Sequence, residues 1–438
     1  MRLNFNQYLK EQTMKNPELL APAGTYEKME YAFAYGADAV YAGVPKFSLR
    51  VRENDFTEEK LADAIQYAHR LNKKIYLTMN IFPHNRKVKA FVKMLSKVAE
   101  MKPDGIIMAD PGMILLAHEN HPDLNIHLST QANTINWESV RFWQKIGVKR
   151  IILSREISLD EIKEIKKHVP DMELESFVHG AICIAYSGRC LLSNYFTHRD
   201  ANQGSCTNAC RWEYKVYSEE NSESRTNYYL EETERPGAFM PIDEDEHGTY
   251  IMNARDLCTI EILDQMSEAG IDSFKVEGRT KSIYYLSITT RVYRKAIDCL
   301  KSGKPLTQDI IDEVYTIANR GYVTGFLEGN PQHRAQNYEQ SHSGNQTRTF
   351  TGVIKEWNPD RHLALMGVRG RFELGDLLEL VEPDNTTVFN ADQLFDPAGN
   401  SLNVAHGGGV DVLIGLPDEP SKYSLVRKVV EKPAKISA

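Results

Sequence analysis

From Glu18 to Leu300 the chain repeats one pattern: a short apolar run, a turn, and then a segment with apolar residues at helical spacing. Such runs predict β-strands, and the 3.6-residue spacing predicts amphipathic helices. The predicted strands are Glu18–Ala21, Ala39–Ala42, Ile75–Met79, Gly105–Met108, Ile126–Leu128, Arg150–Leu153, Met172–Phe177 and Ser273–Val276. Each connection is long enough to hold a helix, so the strands should be parallel. The pattern favours an α/β fold, a (β/α)₈ TIM-like barrel, over an open doubly wound sheet.

The pattern changes after Pro331. Short alternating apolar runs, such as Thr351–Ile354 and Val410–Ile414, are separated by frequent turn residues. This alternation predicts a small antiparallel β-barrel. The predicted organisation is a catalytic barrel over residues 1–332, a linker over 333–349 and a C-terminal β-barrel module over 350–438. A long insertion over 180–250, after the seventh strand, interrupts the first barrel.

The composition is that of a globular protein with a large core, because 42% of the 438 residues are hydrophobic and 26% are charged. The longest apolar runs, such as Met113–Ala117, are far shorter than the ~20 residues of a membrane-spanning helix. We therefore expect no membrane partner. The polar segment Met1–Pro17 lacks the apolar core of a signal peptide, so we expect a cytoplasmic protein.

The charge is distributed unevenly. The whole chain has 52 basic and 60 acidic residues, a net charge of −8. Residues 218–248 contain ten acidic and two basic residues, and therefore the same net charge of −8. The remainder sums to zero and can carry a basic face for a nucleic acid. A solvated acidic loop is the simplest interpretation of 218–248.

Four cysteines of the insertion are the strongest chemical signal. Cys183, Cys190, Cys206 and Cys210 are spaced C-x₆-C-x₁₅-C-x₃-C. In a cytoplasmic protein such a cluster predicts a metal site rather than disulfides. The irregular spacing favours an iron–sulfur cluster; zinc and unliganded thiols remain alternatives. The cysteines follow the seventh strand, so they should lie at the catalytic face of the barrel.

Polar residues at the predicted strand ends are candidates for chemistry at the same face. Glu175, His179 and Glu277 are the candidate acids and bases. The candidate ligands of carboxylates or phosphates are Arg155, Arg189, Arg279 and Lys281. Further strand-end polar residues are Asn80, Asp110 and Gln131. The structural alternative is an ion pair, Glu277–Arg279 or Glu175 with an arginine, that ties barrel strands together.

The insertion also interleaves aromatic and basic residues. Tyr186 and Trp212 can stack on unpaired bases while neighbouring arginines bind phosphates. Aromatic packing around a metal centre explains the same composition. Peptidase motifs are missing: the second His of His118–His121 comes one residue too early for H-E-x-x-H, and no G-x-S-x-G occurs.

Several longer segments together form a recognisable signature. They are Glu18–Gly24, Gly36–Tyr41, Glu175–Cys183, Tyr186–Ser193, Asn202–Tyr214, Glu246–Asn253 and Val276–Lys281. These segments resemble the signature of the U-32, collagenase-like, peptidase family, and they are most similar to its branch of prephenate-dependent tRNA uridine 5-hydroxylation proteins.

The resemblance implies a tRNA-modifying enzyme that hydroxylates the wobble uridine of the anticodon loop at carbon 5. It implies an iron–sulfur cluster, [4Fe–4S], on the four clustered cysteines, and prephenate or a derivative as co-substrate. In this hypothesis Tyr186 or Trp212 stacks on the base, and arginines hold the small dicarboxylate. Two alternatives stay open: a collagenase-like peptidase, and an RNA-binding module with a structural metal.

Overall fold

The computed structural model describes residues 16–49, 55–182, 185–187, 207, 209, 214–220, 226–232, 239–242, 244–245, 248–249, 255–329, 346–408 and 410–430. Seven consecutive strands form the first part of a parallel sheet. They are β1 Glu18–Ala23, β2 Ala39–Gly43, β3 Lys74–Met79, β4 Gly105–Met108, β5 Ile126–Leu128, β6 Arg150–Ile152 and β7 Glu173–Ala181. Within the described part, no helix is long and apolar enough to span a membrane.

An eighth parallel strand closes this sheet into a barrel. Strand β14, Ser273–Val276, pairs with β1 on one side and with β7 on the other. The closed (β/α)₈-type barrel predicted from the sequence is therefore confirmed, and the open sheet is excluded. Between β7 and β14 the insertion contributes further strands: β8 Tyr214–Glu220, β9 Thr226–Glu232, β10 Phe239–Ile242, β11 Glu244–Asp245, β12 Gly248–Thr249 and β13 Asp256–Cys258.

Helices surround the barrel, and most of them begin at a side chain that accepts a backbone N–H. The helices are α1 Tyr26–Ala34, α2 Glu58–Arg70, α3 Asn85–Met101, α4 Pro111–Asn120, α5 Trp137–Lys145, α6 Leu159–His168, α7 Leu263–Glu268, α8 Ile283–Ser302 and α9 Gln308–Val314. Asp110, for example, caps α4 by accepting the N–H of Met113 at 3.0 Å. That role explains this strand-end carboxylate without a part in chemistry.

Alternation along the strands separates two apolar layers. Leu19 and Val40 face the helices, whereas Leu20, Tyr41 and Phe177 belong to a separate buried cluster inside the barrel. This is the period-two pleat of a strand. The barrel interior is thus filled with side chains, and chemistry is confined to its ends.

The structure corrects the sequence prediction around β13. A helix was predicted over Cys258–Ala269, but Cys258 is the last residue of strand β13. This strand pairs antiparallel with the end of β7, where Cys258 lies opposite His179. A 3₁₀ turn, Ile260–Ile262, and the short helix α7 follow. The reason is that β7 continues to Ala181, and its last residues need a backbone partner that β14 does not supply.

The C-terminal module is antiparallel, as predicted. Its strands follow β15 Tyr322–Val323, which lies at the edge of the first barrel. They are β16 Arg348–Asn358, β17 Leu363–Val368, β18 Phe372–Glu373, β19 Leu377–Val381, β20 Thr386–Asn390, β21 Leu394–Phe395, β22 Val404–Ala405, β23 Asp411–Gly415 and β24 Leu425–Val429. The main sheet of the module has the strand order β20-β19-β24-β16-β17-β23-β21, and β18 pairs with β22. Strand β16 begins at Arg348, inside the range predicted as linker.

The module is fixed against helices α1, α8 and α9 of the barrel. Arg427 of β24 donates to Glu313 of α9 at 2.8 Å and also pairs with Glu379 of β19. Arg291 of α8 donates to the same Glu313 at 2.8 Å and to the carbonyl oxygen of Glu382 at 2.7 Å. Because these arginines are buried, the two units form one packed body.

Candidate active site

The amino ends of the barrel strands hold a buried network of ion pairs. Glu175 is fully buried and accepts from Lys275 at 2.7 Å and from Arg150 at 3.2 Å. Arg150 also donates to Glu18 at 2.6 Å. Burial lowers the pKa of Lys275, and the negative charge of Glu175 opposes that effect. Glu175 was predicted as a catalytic acid or base. The structure places it instead in ion pairs that link barrel strands, which was the structural alternative.

The opposite end of the barrel brings Arg155 and Glu277 together. Arg155 follows β6 and donates to the carboxylate of Glu277, which follows β14, at 3.1 Å. Its guanidinium lies 3.9 Å from the centre of the Phe177 ring, on which it stacks. Both charged side chains remain partly exposed, at 17% each. A planar guanidinium that is paired with one carboxylate and stacked on an apolar ring is suited to binding a second carboxylate or a phosphate.

A row of neutral polar groups crosses the same mouth. Asn80, after β3, donates to the side-chain oxygen of Gln131, after β5, at 2.7 Å. Ser129 donates to that same oxygen at 3.1 Å. Strand β4 lies between β3 and β5. A direct contact between these side chains must therefore run over the carboxyl end of β4, above the barrel interior.

Arg279 and Lys281 follow Gly278 at the end of β14. Arg279 is buried, and one of its nitrogens donates to the hydroxyls of Ser48 at 2.8 Å and Thr78 at 2.9 Å. Lys281 lies 5.3 Å above the ring of Tyr285. The predicted pair between Glu277 and Arg279 is replaced by the pair between Glu277 and Arg155. Ser48 and Thr78 were not predicted as site residues. Ser48 lies in the loop after β2 and Thr78 on β3, and only the folded chain brings them to Arg279.

Strand β7 approaches the end of β14 closely at Gly180. This glycine has φ +111°, and a Cβ there would lie 2.8 Å from the carbonyl oxygen of Glu277. A side chain would therefore force the two strand ends apart. The close approach holds His179 of β7 against Glu277 at the barrel mouth.

His179 is buried among three tyrosine rings. The ring centres of Tyr285, Tyr293 and Tyr322 lie 5.8, 5.5 and 5.3 Å from that of His179. Burial lowers the pKa of His179 to about 4, and the carboxylate of Asp256 opposes that effect. His179 is therefore neutral at pH 7, which suits a hydrogen-bonding role rather than a cationic one.

We expect the buried neutral His179 to make the protein acid-sensitive. Its pKa is about 4 when folded and about 6.5 when unfolded. The stabilisation is complete above the unfolded value and is lost as the pH falls toward the folded value. By pH 5 the free energy of unfolding should fall by about 2 kcal/mol from this group. Urea unfolding at pH 7.5 and pH 5 of the wild type and His179→Gln measures it.

The difference between the two pH values should shrink by that amount in His179→Gln. His406→Gln, at an exposed histidine of the C-terminal module, is the matched control and should keep the wild-type difference. An unchanged difference in His179→Gln contradicts the prediction.

The four candidate cysteine ligands, with Arg189 and Trp212, lie outside the described residues. The described strand that precedes them, β7, ends at the mouth at Ala181, two residues before Cys183 in the sequence. Nearby, the N–H of Ser187 donates to Glu156 at 2.9 Å. Tyr186 is 62% exposed, an accessible ring beside the mouth. Among the described residues, no group of three metal-binding side chains gathers elsewhere.

Two cysteines, Cys258 and Cys299, lie among the described residues. Cys258 is buried, its Sγ lies 3.7 Å from the Tyr293 hydroxyl, and burial raises the pKa of its thiol to about 11. Cys299 is half-buried on α8.

The fold and its polar mouth define a (β/α)₈-barrel protein with an attached antiparallel module. Residues 24–337 match the model of peptidase family U32, and residues 346–427 match that of the peptidase family U32 C-terminal domain. The chain therefore belongs to peptidase family U32.

The chain is similar to two curated relatives over nearly its whole length. It is 46% identical to tRNA hydroxylation protein P of Escherichia coli (strain K12) and 44% identical to the protein of that name from Haemophilus influenzae, in both cases over 95% of this chain and 97% of the relative. A solved structure, the U32 peptidase Mk0906, is 13% identical with a TM-score of 0.38, over 60% of this chain and 94% of that one.

Proposed function

We propose that this protein is a tRNA-modifying hydroxylase that acts on the wobble uridine of the anticodon loop at carbon 5. The observation that carries the proposal is the full-length similarity to proteins named for tRNA hydroxylation. The barrel mouth supports it, because a stacked arginine, neutral amides and an exposed tyrosine are groups that handle anions and unpaired bases.

The small co-substrate is prephenate or a derivative, a dicarboxylate. Arg155 is the group that binds one of its carboxylates, since its guanidinium is partly exposed and already oriented by Glu277 and Phe177. Glu277 keeps Arg155 in place and is also the described carboxylate best placed to exchange a proton at the mouth. His179 stays neutral behind them and positions β7.

The uridine is turned out of the anticodon loop to reach the mouth, as bases are in enzymes that modify them. Tyr186 is the described aromatic ring on which it can stack. Lys281, with Arg189 and Trp212 from the insertion, completes the RNA-binding set. Arg279, buried against Ser48 and Thr78, positions the loop that carries Lys281. The protein's first task is thus to bind and orient two substrates at one barrel end.

Cys183, Cys190, Cys206 and Cys210 are the residues that would hold an iron–sulfur cluster. Such a cluster supplies one-electron redox chemistry beside the mouth. Strand β7, which ends at the mouth at Ala181, supports this assignment because only one residue separates its end from Cys183 in the sequence.

The first test is anaerobic purification followed by an absorption spectrum and an assay of iron and sulfide. We expect a broad band at about 400 nm and about four irons per chain. Cys206→Ser should lose both the band and the hydroxylated nucleoside in tRNA, measured by mass spectrometry. Cys299→Ser is the matched control and should keep both.

Zinc in place of iron would contradict the cluster and favour a structural metal. Hydroxylated tRNA from a cluster-free variant would remove the cluster from the reaction. Cleavage of denatured collagen that a chelator stops, with unchanged tRNA, would favour the peptidase alternative.

A further inference from the structure

We propose that Gln131 recognises the carbonyl oxygen at carbon 4 of the pyrimidine base and so selects uracil over cytosine. This inference rests on the proposed function, since it names how the same mouth recognises its base. Gln131 is 4% exposed, in a 3₁₀ turn, Thr130–Ala132, directly after β5.

The orientation of the Gln131 amide is fixed by a chain of hydrogen bonds that starts at the backbone. The N–H of Leu49 can only donate, and it donates to Oδ1 of Asn80 at 3.0 Å. Asn80 must therefore present its NH₂ group to Gln131, at 2.7 Å. The atom of Gln131 that receives it must be the oxygen Oε1, which also accepts from the Ser129 hydroxyl at 3.1 Å.

This arrangement leaves the NH₂ group of Gln131 as a pure donor. Its nitrogen Nε2 is buried and has no hydrogen-bond partner among the described residues. Buried polar groups in folded proteins nearly always have partners, so an oriented donor without one at a barrel mouth points to a ligand acceptor. Asn80 beside it is only half-buried, so the pair of amides lies close to the surface of the mouth.

The chemistry around Gln131 favours a neutral acceptor over an anion. The groups that orient it are an amide and a hydroxyl, both uncharged. A carboxylate is better bound by Arg155, a charged and partly exposed donor at the same end. A base carbonyl is neutral, planar and an acceptor only.

The donor-only character also gives selectivity. Uracil presents an oxygen acceptor at carbon 4, whereas cytosine presents an amino donor there. A donor facing the amino group leaves both groups unpaired, so a site of this kind rejects cytosine. The Gln131 amide would thus read the base edge, held in orientation by Asn80, while Arg155 binds the acid.

The test uses the full-length protein, purified with its metal. Its affinity is measured for an anticodon stem–loop RNA with uridine at the wobble position and for the same RNA with cytidine there. We expect the wild type to bind the uridine RNA about 10-fold more tightly. Gln131→Glu keeps the two incoming hydrogen bonds but replaces the NH₂ group by an acceptor oxygen. It should bind the uridine RNA as weakly as the wild type binds the cytidine RNA, and it should bind the cytidine RNA more tightly, because a carboxylate oxygen accepts from the cytosine amino group.

Gln144→Glu, at an exposed glutamine of α5, makes the same change of charge and should keep the preference. Asn80→Asp is the second variant, because it removes the donor that fixes the Gln131 amide, and it should weaken the preference. A thermal melt confirms that each variant is folded.

A preference for uridine that survives in folded Gln131→Glu overturns the inference, as does its absence from the wild type. A change in the prephenate requirement instead of the RNA preference assigns Gln131 to the acid and overturns it too. Wild-type cells whose tRNA lacks the hydroxylated nucleoside contradict the proposed function, whatever the binding measurements show.

Discussion

Lys275→Met is expected to destabilise the barrel by about 3–5 kcal/mol, because it leaves a buried negative charge without its partner. In the wild type, the buried cations Arg150 and Lys275 balance the carboxylates of Glu18 and Glu175. Lys275 is only 5% exposed and its ammonium group also lies 4.5 Å from the Tyr41 ring. Urea unfolding at pH 7 measures the loss.

The double variant Lys275→Met/Glu175→Gln separates charge from packing. Neutralising Glu175 removes the unbalanced charge, so the double variant should be more stable than Lys275→Met alone. Lys301→Met, at an exposed lysine of α8, is the matched control and should change stability by less than about 0.5 kcal/mol. Equal stability of the single and double variants contradicts the prediction.

Arg427→Met is expected to loosen the C-terminal module from the barrel, also at a cost of about 3–5 kcal/mol. Arg427 is 3% exposed and binds Glu313 of the barrel and Glu379 of the module. Burial alone would raise the pKa of Glu313, but hydrogen bonds and charges from Arg427 and Arg291 hold it below its ordinary value. Without Arg427 part of that compensation is lost. Differential scanning calorimetry measures the change.

Loss of the interface should appear as a second transition or as faster hydrogen exchange confined to α9 and β24. Arg361→Met, at an exposed arginine of the module, is the matched control and should melt as the wild type does. A single unshifted transition in Arg427→Met shows that the ion pairs do not hold the module.

The repeated strand–helix pattern was sufficient to predict the barrel, because seven parallel strands and their helices alternate in sequence order. Strand β13 could not be predicted in this way. It has only three residues, too few to show a period, and its partner is the end of β7, distant in sequence. Its pairing is decided by tertiary hydrogen bonding.

The same limitation explains the placement of Glu175. The apolar run indicated a strand that ends at Phe177, which put Glu175 close to the mouth. The strand continues to Ala181, so Glu175 lies near its amino end instead. Arg155 and Glu277 were predicted as mouth residues from their strand-end positions, and the structure brings them together. Their pairing with each other, rather than Glu277 with Arg279, depends on the loop geometry and burial of Arg279.

Closure of the barrel by β14 has a consequence for how the chain folds. Strands β7 and β14 are adjacent in space, yet roughly 90 residues separate them in the chain, so their pairing carries a loop-closure cost and should come late. Until then β1 and β7 expose unpaired edges, which attract other chains. The carboxylate of Glu277 meets Arg155 only when this seam closes. Assembly of the mouth is therefore a late event in folding, and during synthesis it must wait until the ribosome has released the eighth strand.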